Sequence, residues 1–525
     1  MGPSPSNEAP TYHPRDPRRE VLHQVLSAHL RTFLARAEGD GSRPGLPRYV
    51  RRELERAHEC GVLAHGFARL RCGGCREDTL VPFSCKGRGF CPSCGGRRMA
   101  ERAAHLVDHV LPEVPVRQWV LSMPWRMRLL CACDAKLCGA VRRCFLRTVF
   151  GHYREGAQRA GLARVRTGAV NVVQRFGSAL NLNLHFHALV LDGAYAAQSP
   201  FTQPAFHEAE RLEDEEVSAL VRRLHDRILR LLRRRGLWPQ PSGEDTVAPD
   251  EHDSLLPFLS AASIQGRVAL GPDAGSRVER LGGAAGSSSS PGAPGELCAS
   301  LDGFSLHAKV RCDWDERERL EHLCRYVSRP ALASERLSLD ERGRVLLELR
   351  HPWRDGTTHL RLEPLVFLER LAALVPHPRE HQFTYHGVLA PASSWRDLLV
   401  PVPDDANEPL ELEATAAPAT AALGAPAPEP ADAALTTGCP DAPLSAPSPS
   451  APSARHSARY SWAELLRRVF EIDVLRCPKC GSRRRLIALI TDPPVVRKIL
   501  RHLSLPAEPP TLAPPRSPPQ MTFGF

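Results

Sequence analysis

The stretch AVNVVQRFGSALNLNLHFHALVL, residues 169–191, predicts a β-hairpin. Two strand-like apolar runs, residues 169–176 and 182–191, flank residues 177–181, which contain the glycine, serine and asparagine typical of turns. The midpoint of this hairpin falls between Ala179 and Leu180, so His185 is predicted to pair with Gln174 across the ladder. An antiparallel pair of strands is therefore expected near the centre of the fold.

The second strand of the hairpin carries two histidines on one face. His185 and His187 are two residues apart, and side chains at that spacing on a strand project to the same side. Because Gln174 is predicted to pair with His185, its amide oxygen is a candidate third ligand. Two or three ligands leave positions for water and a phosphate oxygen, which is typical of a catalytic metal site.

A cysteine-rich block precedes the hairpin. Cys72–Cys75 and Cys91–Cys94 form two CxxC turns separated by fifteen residues, a spacing typical of a structural zinc site with four thiolates. Cys60 and Cys85 are possible substitute or additional ligands, but neither has a partner at CxxC spacing. A further pair, Cys477 and Cys480, is half of a site, and its role stays open at this point.

One tyrosine stands out because of its neighbours. Tyr326 lies near the end of a helix predicted over residues 313–329, at the edge of the apolar stripe and beside His322 and Arg329. One interpretation is an ordinary amphipathic edge residue. The other is a nucleophile flanked by basic groups that hold a phosphate. The preceding strand, predicted over residues 304–311, puts His307, Lys309 and Arg311 on one basic face that suits a DNA backbone.

The charge of the chain suits a polyanionic partner. The 525 residues carry a formal net charge of +10. We predict that basic side chains near the cysteines and near the tyrosine contact DNA: Lys86, Arg88, Arg97, Arg98, Lys309, Arg311, Arg325 and Arg329. With no secretory signal and no apolar run of the ~20 residues that a membrane span needs, we expect a cytoplasmic protein, associated with the nucleoid when bound to DNA.

Composition divides the chain into segments. The Ala/Pro-rich stretch 401–458 is predicted to be a disordered linker, and residues 271–300 a flexible insertion. The predicted boundaries are a disordered tail at 1–18, an N-terminal helix and zinc-binding domain at 19–110, a catalytic domain at 111–400, a small CxxC module at 459–504 and a disordered tail at 505–525.

Several stretches together resemble the HUH nucleases, and specifically the rolling-circle transposases of IS91-type insertion sequences. The resemblance rests on residues 64–69, 83–94, 116–124, 175–187, 325–330, 355–358 and 386–391. It implies an α+β fold, with an antiparallel-sheet HUH nuclease domain flanked by helices and preceded by a small zinc-binding module.

The resemblance also implies a chemistry. His185 and His187 would hold Mg²⁺ or Mn²⁺, structural Zn²⁺ would occupy the cysteine block, and no nucleotide cofactor would be needed. Tyr326 would cleave single-stranded DNA at transposon ends through a 5′-phosphotyrosine intermediate, and the broken strand would then be rejoined. Some relatives carry a second tyrosine four residues later, where this chain has Pro330. A single nucleophile is therefore expected, with Tyr385 as an outside candidate for a second.

Two alternatives remain from the sequence. A rolling-circle replication initiator would share the chemistry but usually lacks this zinc block. A zinc-dependent DNA-binding protein without catalysis, such as a decayed transposase, would keep the cysteines and the basic residues but would not nick DNA.

Overall fold

The predicted hairpin is present. In a computed structural model, strands Gly168–Phe176 and Leu182–Leu191 pair in antiparallel fashion. Gln174 is opposite His185, which confirms the predicted register. The turn closes with a hydrogen bond of 2.9 Å from the Gly177 amide to the Asn181 carbonyl. Leu180 takes the left-handed conformation at φ +54° in this turn.

The structure describes residues 15–38, 45–199, 202–237, 254–282, 295–400, 460–470 and 472–516. Their helices are α1 (Val21–Glu38), α2 (Arg48–Glu59), α3 (Pro92–His109), α4 (Trp125–Cys133), α5 (Ala135–Arg159), α6 (Asp214–Arg234), α7 (Leu256–Gln265), α8 (Arg317–Ser328), α9 (Pro364–Leu374), α10 (Arg396–Leu399), α11 (Trp462–Phe470) and α12 (Pro493–His502). Their strands are β1 (Phe67–Cys72), β2 (Asp78–Pro82), β3 (Val116–Ser122), β4 (Gly168–Phe176), β5 (Leu182–Leu191), β6 (Gly193–Ala196), β7 (Ala205–Glu208), β8 (Glu279–Leu281), β9 (Cys298–Leu301), β10 (Phe304–His307), β11 (Arg311–Cys312), β12 (Leu337–Leu339), β13 (Val345–Glu348), β14 (His359–Leu362), β15 (Phe383–Gly387) and β16 (Arg484–Ile490).

The hairpin lies inside a larger antiparallel sheet. Its strands run in the order β15-β4-β5-β3-β10-β9, and β11 also pairs with β3. One face buries Trp119, Phe186 and Val190 in the main core, together with side chains of α1, α4 and α5. The other face packs Val172 and Leu189 against α3 and α8. Mixed helices and antiparallel strands confirm the predicted α+β class.

The C-terminal segment that contains β16 and α12 packs against the N-terminal region predicted to bind zinc, which we call the N-terminal zinc region. The sequence predicts a separate small module over residues 459–504, but β16 pairs with β1, which in turn pairs with β2. Val496 and Leu500 of α12 are buried against Phe67 and Leu80 of these strands. A short segment at the end of the chain therefore completes a sheet that begins near its start.

Two predicted flexible segments contain ordered structure. In the predicted disordered tail at 505–525, two amides bind α1: the Ala513 amide donates to the Ser27 carbonyl at 2.8 Å and the Arg516 amide to Thr32 Oγ1 at 3.0 Å. Proline lacks a backbone N–H, so the non-proline amides make these contacts. Within the predicted insertion at 271–300, β8 pairs with β14 and β9 with β10. The predicted linker at 401–458 and the first fourteen residues lie outside the described residues.

The strand predicted over residues 304–311 is interrupted. It divides into β10 and β11, with residues 308–310 between them. His307 pairs with Val120, which also pairs with His187, so His307 shares the face of His187. Arg311 pairs with Arg117 on the opposite side. The interruption breaks the two-residue alternation on which the prediction of one basic face depended.

In the described ranges, none of the helices combines the length and the apolar character needed to cross a bilayer.

Candidate active site and metal centres

His185, His187 and Gln174 project from one side of the central sheet. The ring centroids of the two histidines are 4.9 Å apart. The paired strands β4 and β5 hold Gln174 directly beside His185, and β3 brings Gln118 alongside on the same face. We call this side, defined by Gln174, His185 and His187, the histidine face.

Three polar atoms on the histidine face have no hydrogen-bond partner in the part of the chain that the structure describes. His187 Nε2 and both amide atoms of Gln174 are buried without a hydrogen-bond partner among the described residues. A buried polar atom without a partner carries a free-energy cost. Nitrogen and oxygen donors converging from rigid strands fit a divalent cation, which would satisfy them.

The protonation of the two histidines also suits a metal. Burial lowers the pKa of His185 from its ordinary value to about 4, and lowers the pKa of His187 well below its ordinary value. Both rings are therefore neutral near pH 7. His185 Nδ1 donates to the Asn183 carbonyl at 2.7 Å, which leaves the lone pair on Nε2.

A neighbouring amide holds the ring of His187. Gln118 contacts His187 Nδ1 at 2.8 Å, and both side chains are buried. The atom in contact is Gln118 Nε2, which donates to Nδ1 and so places the ring proton on Nε2. A half-turn of the amide presents its oxygen instead, so that Nδ1–H donates to it and the lone pair lies on Nε2, as a metal ligand requires. Such hydrogen bonds orient histidine ligands and select their tautomer. Sequence reasoning did not single out Gln118, although alternation along β3 places it on the histidine face.

Tyr326 reaches the same face from α8. Its ring lies 6.0 Å from the ring of His187, edge to face, and 44% of the residue is exposed. The Arg329 guanidinium lies 4.8 Å from the centre of the Tyr326 ring and 5.4 Å from that of Phe176. A phenol, two imidazoles and a guanidinium thus meet around one partly open position. This set matches what attack on a phosphodiester requires: a nucleophile, metal ligands and a cation.

A cleft connects this position to the cysteine-rich region. It is lined by Arg88, Arg98, Gln174 and Arg329. The first turn of α3 approaches the end of α8 so closely that a Cβ on Gly95 would lie 2.5 Å from Pro330 Cβ. Three of the basic side chains predicted to contact DNA therefore share a cleft with the candidate metal ligand Gln174.

The other predicted DNA contacts are distributed differently. Lys86 and Arg97 are exposed near the cysteines, and Lys309 is exposed in an ion pair of 3.0 Å with Glu296. Arg325 pairs with Glu321 at 2.5 Å, one turn back on α8.

Arg311, also predicted to contact DNA, forms ion pairs with three carboxylates. Its guanidinium binds Asp192 at 2.8 Å and also pairs with Glu208 and Asp313. Asp192 is buried and binds Arg117 as well. These three carboxylates hold Arg311 in an ion-pair network within the protein, and its contact with DNA stays a prediction.

Among the residues that the structure describes, cysteines form two clusters, and neither is the predicted one. Cys72 and Cys75 do not meet Cys91 and Cys94. Instead, ligand atoms within 4.8 Å of one another group Cys60, Cys85, Cys91 and Cys94, which we call the first cysteine cluster. The second cysteine cluster consists of Cys72, Cys75, Cys477 and Cys480. The sequence interpretation joined the two nearest CxxC turns, whereas the fold pairs each of them with cysteines supplied from elsewhere.

The first cluster has the dimensions of a thiolate zinc site. Its sulfur separations are 3.8 Å for Cys60–Cys94, 3.4 Å for Cys85–Cys94 and 3.5 Å for Cys60–Cys91. Four sulfurs bound tetrahedrally at about 2.3 Å from zinc would be about 3.8 Å apart. Cys60 and Cys85, which the sequence ranked below the CxxC pairs, thus occupy positions suited to ligands.

Comparison with protein families agrees with this arrangement. Residues 25–123 match the family model of an IS91 transposase zinc-binding domain, and residues 168–396 match the transposase family model Y2_Tnp. The two matches together cover more than half of the chain. The chain is an IS91-type transposase. Neither a search of curated proteins nor a search of solved structures returned a match.

Membership of this family makes the transposase a DNA-processing enzyme with a zinc-binding domain. The first cysteine cluster lies entirely within the zinc-binding match, whereas Cys477 and Cys480 lie far outside it. The histidine face and Tyr326 both lie within the Y2_Tnp match.

A basic groove lies on the other side of the central sheet. α5 packs on the main-core face, where Phe145 contacts Phe186, and α6 packs against α5. Between them the transposase forms a groove of about 760 Å³, which we call the arginine groove. It is lined by Cys144, Arg147, Phe150, Arg154, Arg227, Arg230, Arg233 and Arg234. Sequence reasoning missed it, although the arginines of α6 recur at helical spacing.

Tyr385, the outside candidate for a second nucleophile, lies on β15 opposite Val170. Burial raises its pKa above the ordinary value, and Arg396 lies 5.7 Å from its ring. A raised pKa disfavours the phenolate, so Tyr385 is less suited to attack than the more exposed Tyr326.

Proposed function

We propose that this transposase cleaves and rejoins single-stranded DNA at the ends of its element, with Tyr326 as the nucleophile. The observation that carries the proposal is the meeting of Tyr326 with His187, His185 and Gln174 on one side of a rigid sheet. The Tyr326 phenol thus lies near buried nitrogen and oxygen atoms that have no hydrogen-bond partner among the described residues.

In the proposed reaction the Tyr326 oxygen attacks the scissile phosphorus and the bond from phosphorus to the 3′-oxygen breaks. The phenol loses its proton to solvent, and the leaving 3′-oxygen takes one up. The product is a 5′-phosphotyrosine link and a free 3′-hydroxyl. Attack by a 3′-hydroxyl on that link reverses the step and seals the strand, so no nucleotide cofactor is required.

Each neighbouring side chain has a part in this step. His185, His187 and Gln174 would hold Mg²⁺ or Mn²⁺, which supplies charge that polarises the scissile phosphate. Gln118 orients the His187 ring. Arg329, close to both Tyr326 and Phe176, offsets the negative charge that develops on the phosphate oxygens.

The proposal includes two basic surfaces for DNA. The cleft lined by Arg88, Arg98 and Arg329 leads the cut strand to Tyr326. The arginine groove, behind the sheet, binds the phosphate backbone of DNA next to the cut. Arg147, Arg154 and Arg230 are exposed there, among the six arginines that line the groove.

The test uses labelled single-stranded oligonucleotides that span the DNA flanking the gene on each side. With Mn²⁺ the full-length protein should nick a strand from one end and stay attached to the new 5′ terminus, and EDTA should prevent both events. Tyr326→Phe should bind the same DNA without nicking it, whereas Tyr385→Phe should nick normally. Binding without nicking by the unmodified protein, under every metal condition, would favour a non-catalytic DNA-binding role.

A further inference from the structure

The second cysteine cluster joins parts of the chain that are far apart in sequence. Cys72 Sγ lies 3.4 Å from Cys480 Sγ, across a separation of 408 residues, and Cys75 Sγ lies 3.6 Å from Cys477 Sγ. These distances are close to the sulfur separation of about 3.8 Å expected around tetrahedral zinc. They are far longer than the ~2.05 Å of a disulfide.

We propose that Cys72, Cys75, Cys477 and Cys480 bind a second zinc ion, which fastens the C-terminal segment to the N-terminal zinc region. This ion would be independent of the one in the first cysteine cluster. The inference goes beyond the proposed DNA chemistry and does not depend on it.

The two CxxC turns have matching backbone geometry. In each, the residue after the second cysteine takes the left-handed conformation: Arg76 at φ +60° and Gly481 at φ +73°. That same residue donates its amide to the carbonyl of the first cysteine, at 3.2 Å to Cys72 and at 2.9 Å to Cys477. Two turns of the same shape, facing each other, aim paired thiolates at one point, as in zinc ribbons.

The two CxxC turns of the second cysteine cluster are in close contact with each other. A Cβ on Gly74 would lie 2.4 Å from Ser482 Oγ and 3.3 Å from Cys480 Sγ, so only glycine fits there without a shift. The Gly73 amide donates to the Arg483 carbonyl at 3.1 Å, and Lys479 pairs with Glu77 at 2.7 Å.

The C-terminal segment held by this cluster contacts α8, the helix that carries Tyr326. Arg468 of α11 binds Glu321 of α8 at 2.7 Å and Asp108 of α3 at 2.9 Å, and Tyr460 also donates to Asp108. Glu321 lies five residues before Tyr326 on α8. The second zinc ion would therefore hold in place a segment that braces the helix carrying Tyr326.

The direct test counts metal in the full-length protein. Purified wild-type chain should contain two zinc ions, and Cys477→Ser and Cys480→Ser should each contain one. Cys133→Ser removes an exposed cysteine outside both clusters and should retain two. In cobalt-substituted protein, the thiolate-to-cobalt absorption should fall by about half in the Cys477→Ser/Cys480→Ser double variant, because both clusters have four thiolates.

Two results would overturn the proposal of a second metal site. One is a wild-type protein that holds a single zinc ion and shows fewer than sixteen free thiols after unfolding, because the missing thiols would be paired in disulfides. The other is a double variant that retains two zinc ions.

A second experiment tests the fastening itself. A protease site introduced within residues 402–459 allows the chain to be cut after folding. In the wild-type background the fragment from residue 460 onward should co-elute with the rest of the protein and separate when zinc is chelated. The Cys477→Ser/Cys480→Ser fragment should separate without chelation. Equal retention of the two fragments would show that strand pairing alone holds the segment, and the fastening role would be rejected.

Discussion

The ring of Tyr326 lies 6.0 Å from the ring of His187, edge to face, although the two residues come from a helix and a strand far apart in the chain. The pairing of β3 with β5 fixes His187, and the packing of α8 on the same face fixes Tyr326. Their proximity links the candidate nucleophile to the candidate metal ligands.

Removal of the histidine ligands should abolish metal-dependent nicking. His185→Ala and His187→Ala are each expected to reduce the nicking rate by at least about 100-fold, since the cation stabilises charge in the transition state. Nicking would be measured on a single-stranded end oligonucleotide across a Mn²⁺ titration. Nearly normal rates in both variants would remove these residues from the site.

Gln118 should act by positioning His187. Gln118→Leu is expected to weaken activity by about 10- to 100-fold, as loss of a hydrogen bond to a ligand histidine typically does. Because the effect passes through metal affinity, high Mn²⁺ should restore much of the rate. A loss of rate that is the same at all Mn²⁺ concentrations would instead indicate a purely structural role.

Arg329 should contribute to the chemical step more than to DNA affinity. Arg329→Ala is expected to lower the nicking rate by about 100-fold, because a guanidinium near the phosphate stabilises developing charge. Arg329→Lys should recover only part of this, since an ammonium lacks the planar fork. The dissociation constant for the same oligonucleotide, measured separately, should change much less than the rate.

The arginine groove should govern the salt dependence of DNA binding. Arg147→Ala and Arg230→Ala should each reduce the slope of log affinity against log salt by roughly 0.7 for single strands and 0.9 for duplex, the value for one lost phosphate contact. Arg222→Ala changes an exposed arginine of the same helix that does not line the groove. It serves as the matched control. Identical slopes in all three variants would exclude the groove as a DNA surface.

Loss of the first cysteine cluster should unfold the N-terminal zinc region. Cys60→Ser should lose one zinc ion and unfold at lower temperature, because structural zinc contributes on the order of 10 kcal/mol in small zinc domains. Metal content and thermal unfolding would be compared with Cys133→Ser. Unchanged zinc content in Cys60→Ser would restore the predicted pairing of Cys72, Cys75, Cys91 and Cys94.

The hairpin, the register of Gln174 with His185 and the common face of the two histidines could be predicted from the sequence because they depend on neighbouring residues. Strand alternation and turn composition are local properties. The position of Tyr326 beside His187 could not be obtained in that way, since it depends on how α8 packs on the sheet. For that contact the family resemblance supplied the expectation.

The cysteine clusters show where local spacing misleads. A CxxC turn supplies two thiolates but does not specify which other pair completes the site. Cys60 follows α2 and Cys85 lies between β2 and α3, so the fold brings two single cysteines to the Cys91–Cys94 turn, for which local spacing had indicated Cys72 and Cys75 as partners. The break at residues 308–310 similarly separates His307 from Arg311, which strict alternation had placed together.

In the proposed reaction, Tyr326 forms the covalent bond to DNA. The most direct measurement traps the protein–DNA adduct with a single-stranded end oligonucleotide, digests protein and DNA, and locates the attached nucleotide by mass spectrometry. We expect a nucleotide 5′-phosphate on the peptide that contains Tyr326, and no adduct in Tyr326→Phe. A nucleotide on Tyr385 or on any other residue, or an adduct that persists in Tyr326→Phe, would contradict it.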